Sequence, residues 1–262
     1  MLELIQNADD NSYDAKVQPS VHFEYSDKFL RVDCNEVGFS PRNVEALCRV
    51  GQSTKKGGDN TTRYVGEKGI GFKSVFKAAD VVWISSGNYS FKFDKNQQLG
   101  MIAPIWEDFP VPVKPGYTSL YLKLSEGYNR KGLIDELRSL DSRLLIFLRR
   151  LQRITVSISE PGRTTWRSNF FRTEIKNDLI RLVENNNACD YIVKRHKVSN
   201  MPNESKRQGV TSSEIIIGFP ITEDHKPKRE SQQAYAFLPI RDYGFEVSVV
   251  KSLSTLQHLL TN

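Results

Sequence analysis

The chain has 262 residues, of which 39% are hydrophobic, and a formal net charge of +6 at pH 7. This composition supports a packed core for one domain or one and a half. The three cysteines, Cys34, Cys48 and Cys189, are odd in number and lack C-x-x-C spacing, which argues against a disulfide framework or a structural zinc site. No apolar run approaches the roughly 20 residues that span a bilayer. Since no basic or apolar leader precedes Glu3, we expect an intracellular protein, cytoplasmic or nuclear, without a membrane partner.

The first eleven residues predict one helix, Leu2–Asn11, with its polar residues on a shared face. Glu3, Asn7 and Asp10 are spaced by four and three residues, whereas the apolar residues fall on the other side. Two carboxylates and a carboxamide together offer a base for a water molecule, an oxygen ligand for magnesium and a hydrogen-bonding support. The pattern therefore suggests phosphate chemistry, although a solvated face of an amphipathic helix would look the same.

A strand and a turn follow, and they resemble the wall of an adenine pocket. Strands are predicted at Val21–Tyr25 and Phe29–Asp33, and a helix at Pro41–Arg49 with Pro41 in its first turn. An acidic or amide side chain at the end of a buried strand can accept a hydrogen bond from an exocyclic amine. A glycine just beyond it makes room for a flat base. The residues that carry this prediction are Asp33, Asn35 or Glu36 as the acceptor, and Gly38 as the glycine.

A polar stretch from Gly51 to Thr62 is predicted to be a lid, because long polar loops beside a ligand site commonly close over it. A turn with the order G-x-x-G-x-G then precedes an apolar helix at Gly71–Ala79. Backbone N–H groups in such a turn can bind phosphates, and Lys68 can pair with their oxygens. A tight connecting loop with a solvated lysine is the other interpretation, since this order matches neither the Rossmann nor the P-loop motif.

The remaining elements predict the fold class. A mixed sheet with helices on one face gives a two-layer α/β sandwich that ends near Glu160, and residues 161–262 are predicted to be a partial second α+β domain. A long helix is predicted at Gly132–Arg150. The arginines around it could contact nucleic acid, but their interleaving with leucines favours a solvated helix face, so nucleic acid is not expected as a partner. The further strands of the sheet are predicted at Val81–Ser85, Tyr89–Phe93, Ser119–Leu124 and Ile154–Ile158.

Four motifs in this order resemble one superfamily. E-L-I-x-N-x-x-D, N-E-V-G-F, G-x-S-T-K and G-x-K-G-I-G-F-K-S-V-F are similar to the Bergerat-fold (GHKL) ATPases, which include gyrase, the ninety-kilodalton heat-shock chaperone, histidine kinases and MutL. The residues of the second and fourth motifs most closely resemble those of the sacsin-like and NO VEIN-like branch of the histidine kinase/heat-shock-type ATPase domains. This resemblance implies ATP and magnesium as ligands, with slow ATP hydrolysis that drives lid closure.

The resemblance also implies roles for individual residues. Glu3 would polarise the attacking water, Asn7 would bind magnesium and Asp10 would support the adenine side, while Thr118 would bond the adenine or its bridging water. The residues that would wrap the triphosphate are Gly66, Lys68, Gly69, Ile70, Gly71 and Phe72. Those that would act from the lid are Gly51, Ser53, Thr54 and Lys55.

Two departures from the superfamily shape the functional expectation. The turn after Asp33 is one residue longer than the usual D-x-G-x-G motif, which leaves the adenine acceptor open among Asp33, Asn35 and Glu36. The chain also starts two residues before Glu3, so we expect an N-terminally truncated domain. A chaperone-like ATPase with protein clients or self-association is therefore one expectation. A non-catalytic nucleotide-binding or protein-interaction fragment is the other, and a histidine kinase is disfavoured because no phosphoacceptor helix precedes Glu3.

Overall fold

A computed structural model describes residues 1–48, 72–199, 212–228, 232–236, 238–245 and 248–251. The chain divides into two compact units. The first unit comprises Met1–Leu140 and Arg149–Asn169, and the second comprises Asp141–Leu148 and Phe170–Asn262. No helix within the described ranges is both long and apolar enough to cross a membrane.

The described elements are mostly strands. The helices are α1 (Leu2–Asp10), α2 (Pro41–Cys48), α3 (Arg130–Arg138) and α4 (Leu144–Phe147), with a 3-10 helix at Phe72–Lys77. The strands of the first unit are β1 (Ser20–Ser26), β2 (Phe29–Cys34), β3 (Ala79–Ser86), β4 (Tyr89–Asp94), β5 (Ile105–Trp106), β6 (Thr118–Leu124) and β7 (Arg153–Ser159). The others are β8 (Trp166–Lys176), β9 (Leu179–Glu184), β10 (Asn187–Ser199), β11 (Ser212–Ile221), β12 (Gln232–Ala236), β13 (Leu238–Phe245) and β14 (Ser248–Lys251).

The predicted fold class, a two-layer α/β sandwich with helices on one face, is wrong. The chain is mostly β, and none of the described α-helices is longer than nine residues. The long helix predicted at Gly132–Arg150 is replaced by the short helices α3 and α4. Between them the Asp141 carboxylate accepts hydrogen bonds from the Arg143 backbone nitrogen at 2.8 Å and from its Nε at 2.9 Å. Such local side-chain bonds compete with helical hydrogen bonding.

The predicted α+β character of residues 161–262 is also wrong for the part that the structure describes. Between Trp166 and Lys251 the described residues form strands and no helix. The longest, β10, has 13 residues and pairs antiparallel with both β9 and β11. Paired strands satisfy their backbone groups along their whole length, which an isolated strand cannot do.

The sheet of the first unit is mixed and has two chemically different faces. Its strand order is β7-β1-β2-β6-β3-β4-β5, with β1 parallel to β7 and antiparallel to β2. Successive side chains of a strand point to opposite faces. The inner face therefore carries apolar residues such as Phe23, Val32 and Ile84, all at most 4% exposed. The outer face carries polar residues in register, among them the paired His22 and Asp33.

Helix α1 is anchored in the first unit by an acidic residue rather than by apolar contacts alone. Leu4, Ile5 and Ala8 are buried, and so is Asp9, which is only 3% exposed. The Asp9 carboxylate accepts hydrogen bonds from the backbone nitrogens of residues 149, 150 and 151 at 2.9, 2.8 and 2.9 Å. Buried backbone donors need such partners, because an unsatisfied group pays its full desolvation cost. The carboxylate therefore joins α1 to the chain that enters β7.

In the second unit a buried arginine has the corresponding structural role. Arg172 on β8 is 6% exposed, and its Nη1 donates to the carbonyl oxygens of Leu145 at 2.5 Å and Leu148 at 2.7 Å. These carbonyls lie in and just after α4, where the last turn of a helix lacks internal donors. The charged side chain thus completes the hydrogen bonding of the short helix.

We predict that Asp9→Ala destabilises the first unit by about 2–4 kcal/mol, because it leaves three backbone donors without their acceptor. Urea unfolding of the full chain can be followed by tryptophan fluorescence, since all three tryptophans, Trp83, Trp106 and Trp166, belong to the first unit. The matched control is Asp10→Ala. Asp10 pairs with the side chain of Arg149, which is 44% exposed, so its loss should cost less than about 1 kcal/mol. Equal losses in the two variants would contradict the anchoring role.

Candidate functional site

A concave feature of the first unit lies on the inner face of its sheet, and we call it the inner cleft. It contains about 810 Å³ of space, part of it open to solvent. Its apolar wall comes from α1, α2 and the inner face, with Leu4, Leu47, Val32 and Leu120 among its members. Its polar groups are Asn7, Asn11, Cys34, Glu36, Asn43 and Thr118. An apolar cavity with a few convergent polar groups is the usual form of a small-molecule site.

Helix α1 contributes only one of its three predicted site residues to this cleft. Asn7 lines it, one helical turn beyond Leu4, which lines it too. Glu3 is half-buried but does not line the inner cleft. Asp10 forms an ion pair with the guanidinium of Arg149 instead. The predicted polar face therefore divides between the cleft and a structural ion pair.

The end of β2 decides which candidate acceptor reaches the cleft. Asp33 points to the outer face, where it accepts from Arg31 Nε at 2.9 Å and from Ser119 Oγ at 2.6 Å. Cys34 is the next residue and so points the other way, into the inner cleft. Its Sγ lies 3.1 Å from the hydroxyl oxygen of Tyr13. The strand thus presents a thiol, not a carboxylate, to the cleft.

The two other candidate acceptors behave differently from each other. Asn35 is engaged with the backbone before and at the start of β1, since its Oδ1 accepts from Ser20 N at 2.7 Å and its Nδ2 donates to Gln18 O at 2.8 Å. Glu36 lines the inner cleft and is only 9% exposed. Of the three residues that the sequence left open, the structure brings only Glu36 to the cleft.

A glycine and two hydroxyls shape the adjoining wall. Gly38 has a φ of +90°, a conformation that favours glycine. The next backbone nitrogen, that of Phe39, donates to Ser86 Oγ at 2.8 Å, and the same oxygen lies 2.6 Å from Thr118 Oγ1. Thr118 lines the cleft. The turn after β2 is therefore joined to β3 and β6 at the edge of the cleft.

Sequence reasoning did not single out Cys34, Tyr13 or Ser86. The signal for Cys34 was present, because Leu30, Val32 and Cys34 alternate with Phe29, Arg31 and Asp33 and so share a face. No local pattern marks Tyr13 or Ser86, since their partners lie 21 and 32 residues away.

Several predicted phosphate and lid residues fall outside the described part of the chain. Phe72 is described; it lines the inner cleft, with its ring centroid 6.2 Å from that of Phe93 on β4. The predicted site residues that lie outside the described ranges are Gly51, Ser53, Thr54, Lys55, Gly66, Lys68, Gly69, Ile70 and Gly71.

Burial controls the protonation of Cys34, which lines the inner cleft, and of its neighbour Tyr13. It raises the pKa of the Cys34 thiol from 9.0 to about 12, and it also raises the pKa of the Tyr13 hydroxyl. Tyr13 donates to the Ala8 carbonyl oxygen at 2.6 Å. Both groups are therefore neutral at pH 7, and the thiol is not activated as a nucleophile.

No group of three or more histidine, cysteine, aspartate or glutamate side chains in the described ranges is arranged to hold a metal ion. A magnesium ion can bind without such a group. Magnesium commonly binds in this way, through one or two side chains together with substrate phosphates and water. The carboxamide oxygen of Asn7 is a ligand of the suitable hard type.

Comparison with known proteins identifies one related sequence. The chain is 33% identical to Protein NO VEIN of Arabidopsis thaliana over 273 aligned positions, which cover 94% of the chain and 10% of that protein. The chain thus spans about a tenth of the length of this relative, and the NO VEIN-like part of the predicted resemblance is confirmed. A crystal structure of the N-terminal domain of a DNA repair protein is 13% identical in sequence, with a TM-score of 0.46. The aligned residues cover 95% of this chain and 81% of the chain of the DNA repair protein. No protein-family model matches the chain.

We predict that the buried thiol makes the first unit less stable in alkali. The folded pKa of Cys34 lies above its usual 9.0, so its contribution to stability is complete below pH 9 and is lost as the pH rises toward 12. By pH 11 the loss should reach about 2–3 kcal/mol. The measurement is urea unfolding at pH 8 to 11, followed by tryptophan fluorescence. Cys34→Ala should remove this part of the pH dependence, whereas Cys189→Ala, in the second unit, should retain it.

Proposed function

We propose that the chain is a magnesium-dependent ATP-binding module of the kind found in heat-shock-type and sacsin-like ATPases. One observation carries the proposal: Asn7, Glu36, Phe72 and Thr118 come from separate predicted motifs and line the same cleft. Residues of a solvated helix face or of a connecting loop would not be expected to line one cleft together. The similarity to Protein NO VEIN supports the assignment to this branch.

The groups in the inner cleft suggest how a nucleotide would be held. The apolar wall that includes Val32 and Leu120 suits a flat base, which loses little hydrogen bonding by stacking there. The carboxylate of Glu36 can accept from an exocyclic amine, and the hydroxyl of Thr118 can donate to or accept from the base or a water beside it. Asn7 would hold magnesium, which supplies positive charge to the phosphates when it is bound.

Hydrolysis has weaker support than binding. Glu3, the proposed base, does not line the inner cleft, and Asp10 is paired with Arg149. A general base must come within hydrogen-bond reach of the proton that it removes. This arrangement favours the second candidate, a non-catalytic nucleotide-binding or protein-interaction fragment. Slow hydrolysis with lid closure and binding of protein clients remain parts of the first candidate.

The first test of the proposal is the magnesium dependence of ATP binding. Asn7→Ala should weaken ATP binding at least tenfold in the presence of magnesium, and it should leave adenosine binding unchanged, because adenosine has no phosphate for the ion. Isothermal titration calorimetry on the purified chain, with and without magnesium, measures both. Glu3→Ala is the control, which should keep the affinity and lose any turnover. Undiminished ATP affinity in Asn7→Ala would reject the proposed magnesium ligand.

The second test identifies the carboxylate that accepts a hydrogen bond from the adenine base. Glu36→Gln keeps the shape of the side chain but replaces half of its acceptor capacity, so adenosine affinity should fall about 10- to 100-fold. Asp33→Asn is the matched control: it lies on the outer face against Arg31 and Ser119, and it should lower stability without changing affinity. Loss of affinity in Asp33→Asn alone would show that the acceptor is Asp33.

A further inference from the structure

The outer face of the same sheet contains a second concavity, which has no role in the nucleotide binding proposed for the inner cleft. We call it the outer cavity; it contains about 550 Å³ of space, part of it open to solvent, at the start of β1 and β7. Its chemistry differs from that of the inner cleft, because all of its lining residues except Val21 carry polar, hydroxyl-bearing or basic side chains. Its lining includes the side chains of His22, Lys114, Tyr117, Arg153, Thr155 and Asn169.

Two cations line this cavity without acidic partners. Neither Lys114 nor Arg153 forms an ion pair with a carboxylate in the described residues. The acidic groups whose charges act on His22 are Glu24 and Asp33. Asp33 is already engaged by Arg31 and Ser119. Positive charge therefore exceeds available negative charge along this wall.

The backbone fixes the positions from which both cations project. Lys114 begins a turn that closes through a hydrogen bond from Tyr117 N to Lys114 O at 3.2 Å, and its Nζ lies 3.8 Å from the centroid of the Tyr117 ring. This cation–π contact holds the ammonium over the cavity wall. Arg153 starts β7, where its nitrogen donates to Pro19 O at 3.1 Å and its neighbour in the ladder is Ser20.

Neutral donors and acceptors complete the wall. Thr155 Oγ1 donates to Asn169 Oδ1 at 3.2 Å, which orients both side chains. His22 Nε2 lies 3.1 Å from Ser157 Oγ, and burial lowers the pKa of His22. The histidine is therefore a neutral hydrogen-bonding group rather than a third cation at pH 7.

We propose that the outer cavity binds the phosphate group of a small phosphate monoester. A phosphate dianion matches two cations and several neutral donors, because it has three acceptor oxygens and a charge close to −2. The cavity is larger than a phosphate ion requires, so an organic part with hydroxyl groups fits beside Thr155 and Asn169. Val21 borders both concavities, but His22, Lys114 and Arg153 line only the outer cavity, because His22 points to the opposite face of β1 from Val21.

The experiment titrates the full chain with ribose 5-phosphate, inorganic phosphate and ribose, by calorimetry and by amide chemical shifts in NMR. Ribose 5-phosphate should bind and shift the amides of residues 20–22, 114, 116, 117 and 153–155. Inorganic phosphate should bind at the same amides more weakly, and ribose should not bind. The variant Lys114→Gln/Arg153→Gln should weaken ribose 5-phosphate at least tenfold. The control Lys176→Gln/Lys197→Gln removes the same charge from exposed lysines of the second unit and should bind as the wild type does.

The outcomes separate this proposal from the nucleotide proposal. The Lys114/Arg153 double variant should retain magnesium–ATP binding, and saturating adenosine should not displace ribose 5-phosphate. Equal weakening in both double variants would show a nonspecific charge effect and overturn the proposal. Shifts at Asn7 and Thr118 in place of the outer residues, equal binding of ribose, or no binding of either phosphate would overturn it as well. None of these results would alter the test of the inner cleft by Asn7→Ala.

Discussion

Three backbone N–H groups converge on the single buried carboxylate of Asp9, and the geometry of the inner cleft depends on this contact. A carboxylate accepts several hydrogen bonds at once, which a carbonyl or hydroxyl of similar size cannot do equally well. The bonds join α1 to residues about 140 positions later in the chain. Because Asn7 lies on the same short helix, its place in the cleft is set by a contact made elsewhere on that helix.

A second constraint comes from the alternation of side chains along β1 and β2. Each strand places one set of residues on the apolar inner face and the other on the polar outer face. Asp33 and Cys34 are adjacent in sequence, yet they belong to different environments. The carboxylate bonds to Arg31 and Ser119, whereas the thiol is buried beside Tyr13. Of the three candidate acceptors, only Glu36, from the turn after the strand, therefore lines the cleft.

The two concavities of the first unit are consistent with this division. The inner cleft has apolar walls with a carboxamide, a carboxylate and a hydroxyl, and these groups suit a base and its attached phosphates. The outer cavity has two cations and a polar wall, and these suit a phosphate group without a large apolar part. One sheet can present both chemistries because alternate residues of each strand supply the two faces. The residues of one face can therefore be polar while those of the other are apolar.

The sequence by itself determined the local elements and the identity of the candidate groups. Period-two alternation placed β1, β2, β4 and β6 to within a residue or two, and the spacing of Glu3, Asn7 and Asp10 identified a polar helix face. It did not determine the fold class, since the leucine spacing after Gly132 predicted one long helix where Asp141 and Arg143 form a turn instead.

Only the tertiary structure decided which of the candidates share a site. Asp10 pairs with Arg149, Asn35 bonds to Gln18 and Ser20, and Glu36 lines the cleft, although all three are polar residues near predicted element ends. Periodicity reports which side chains share a face of one element. It cannot report which distant residue occupies the space opposite that face, because that depends on contacts between parts of the chain that carry no common local pattern.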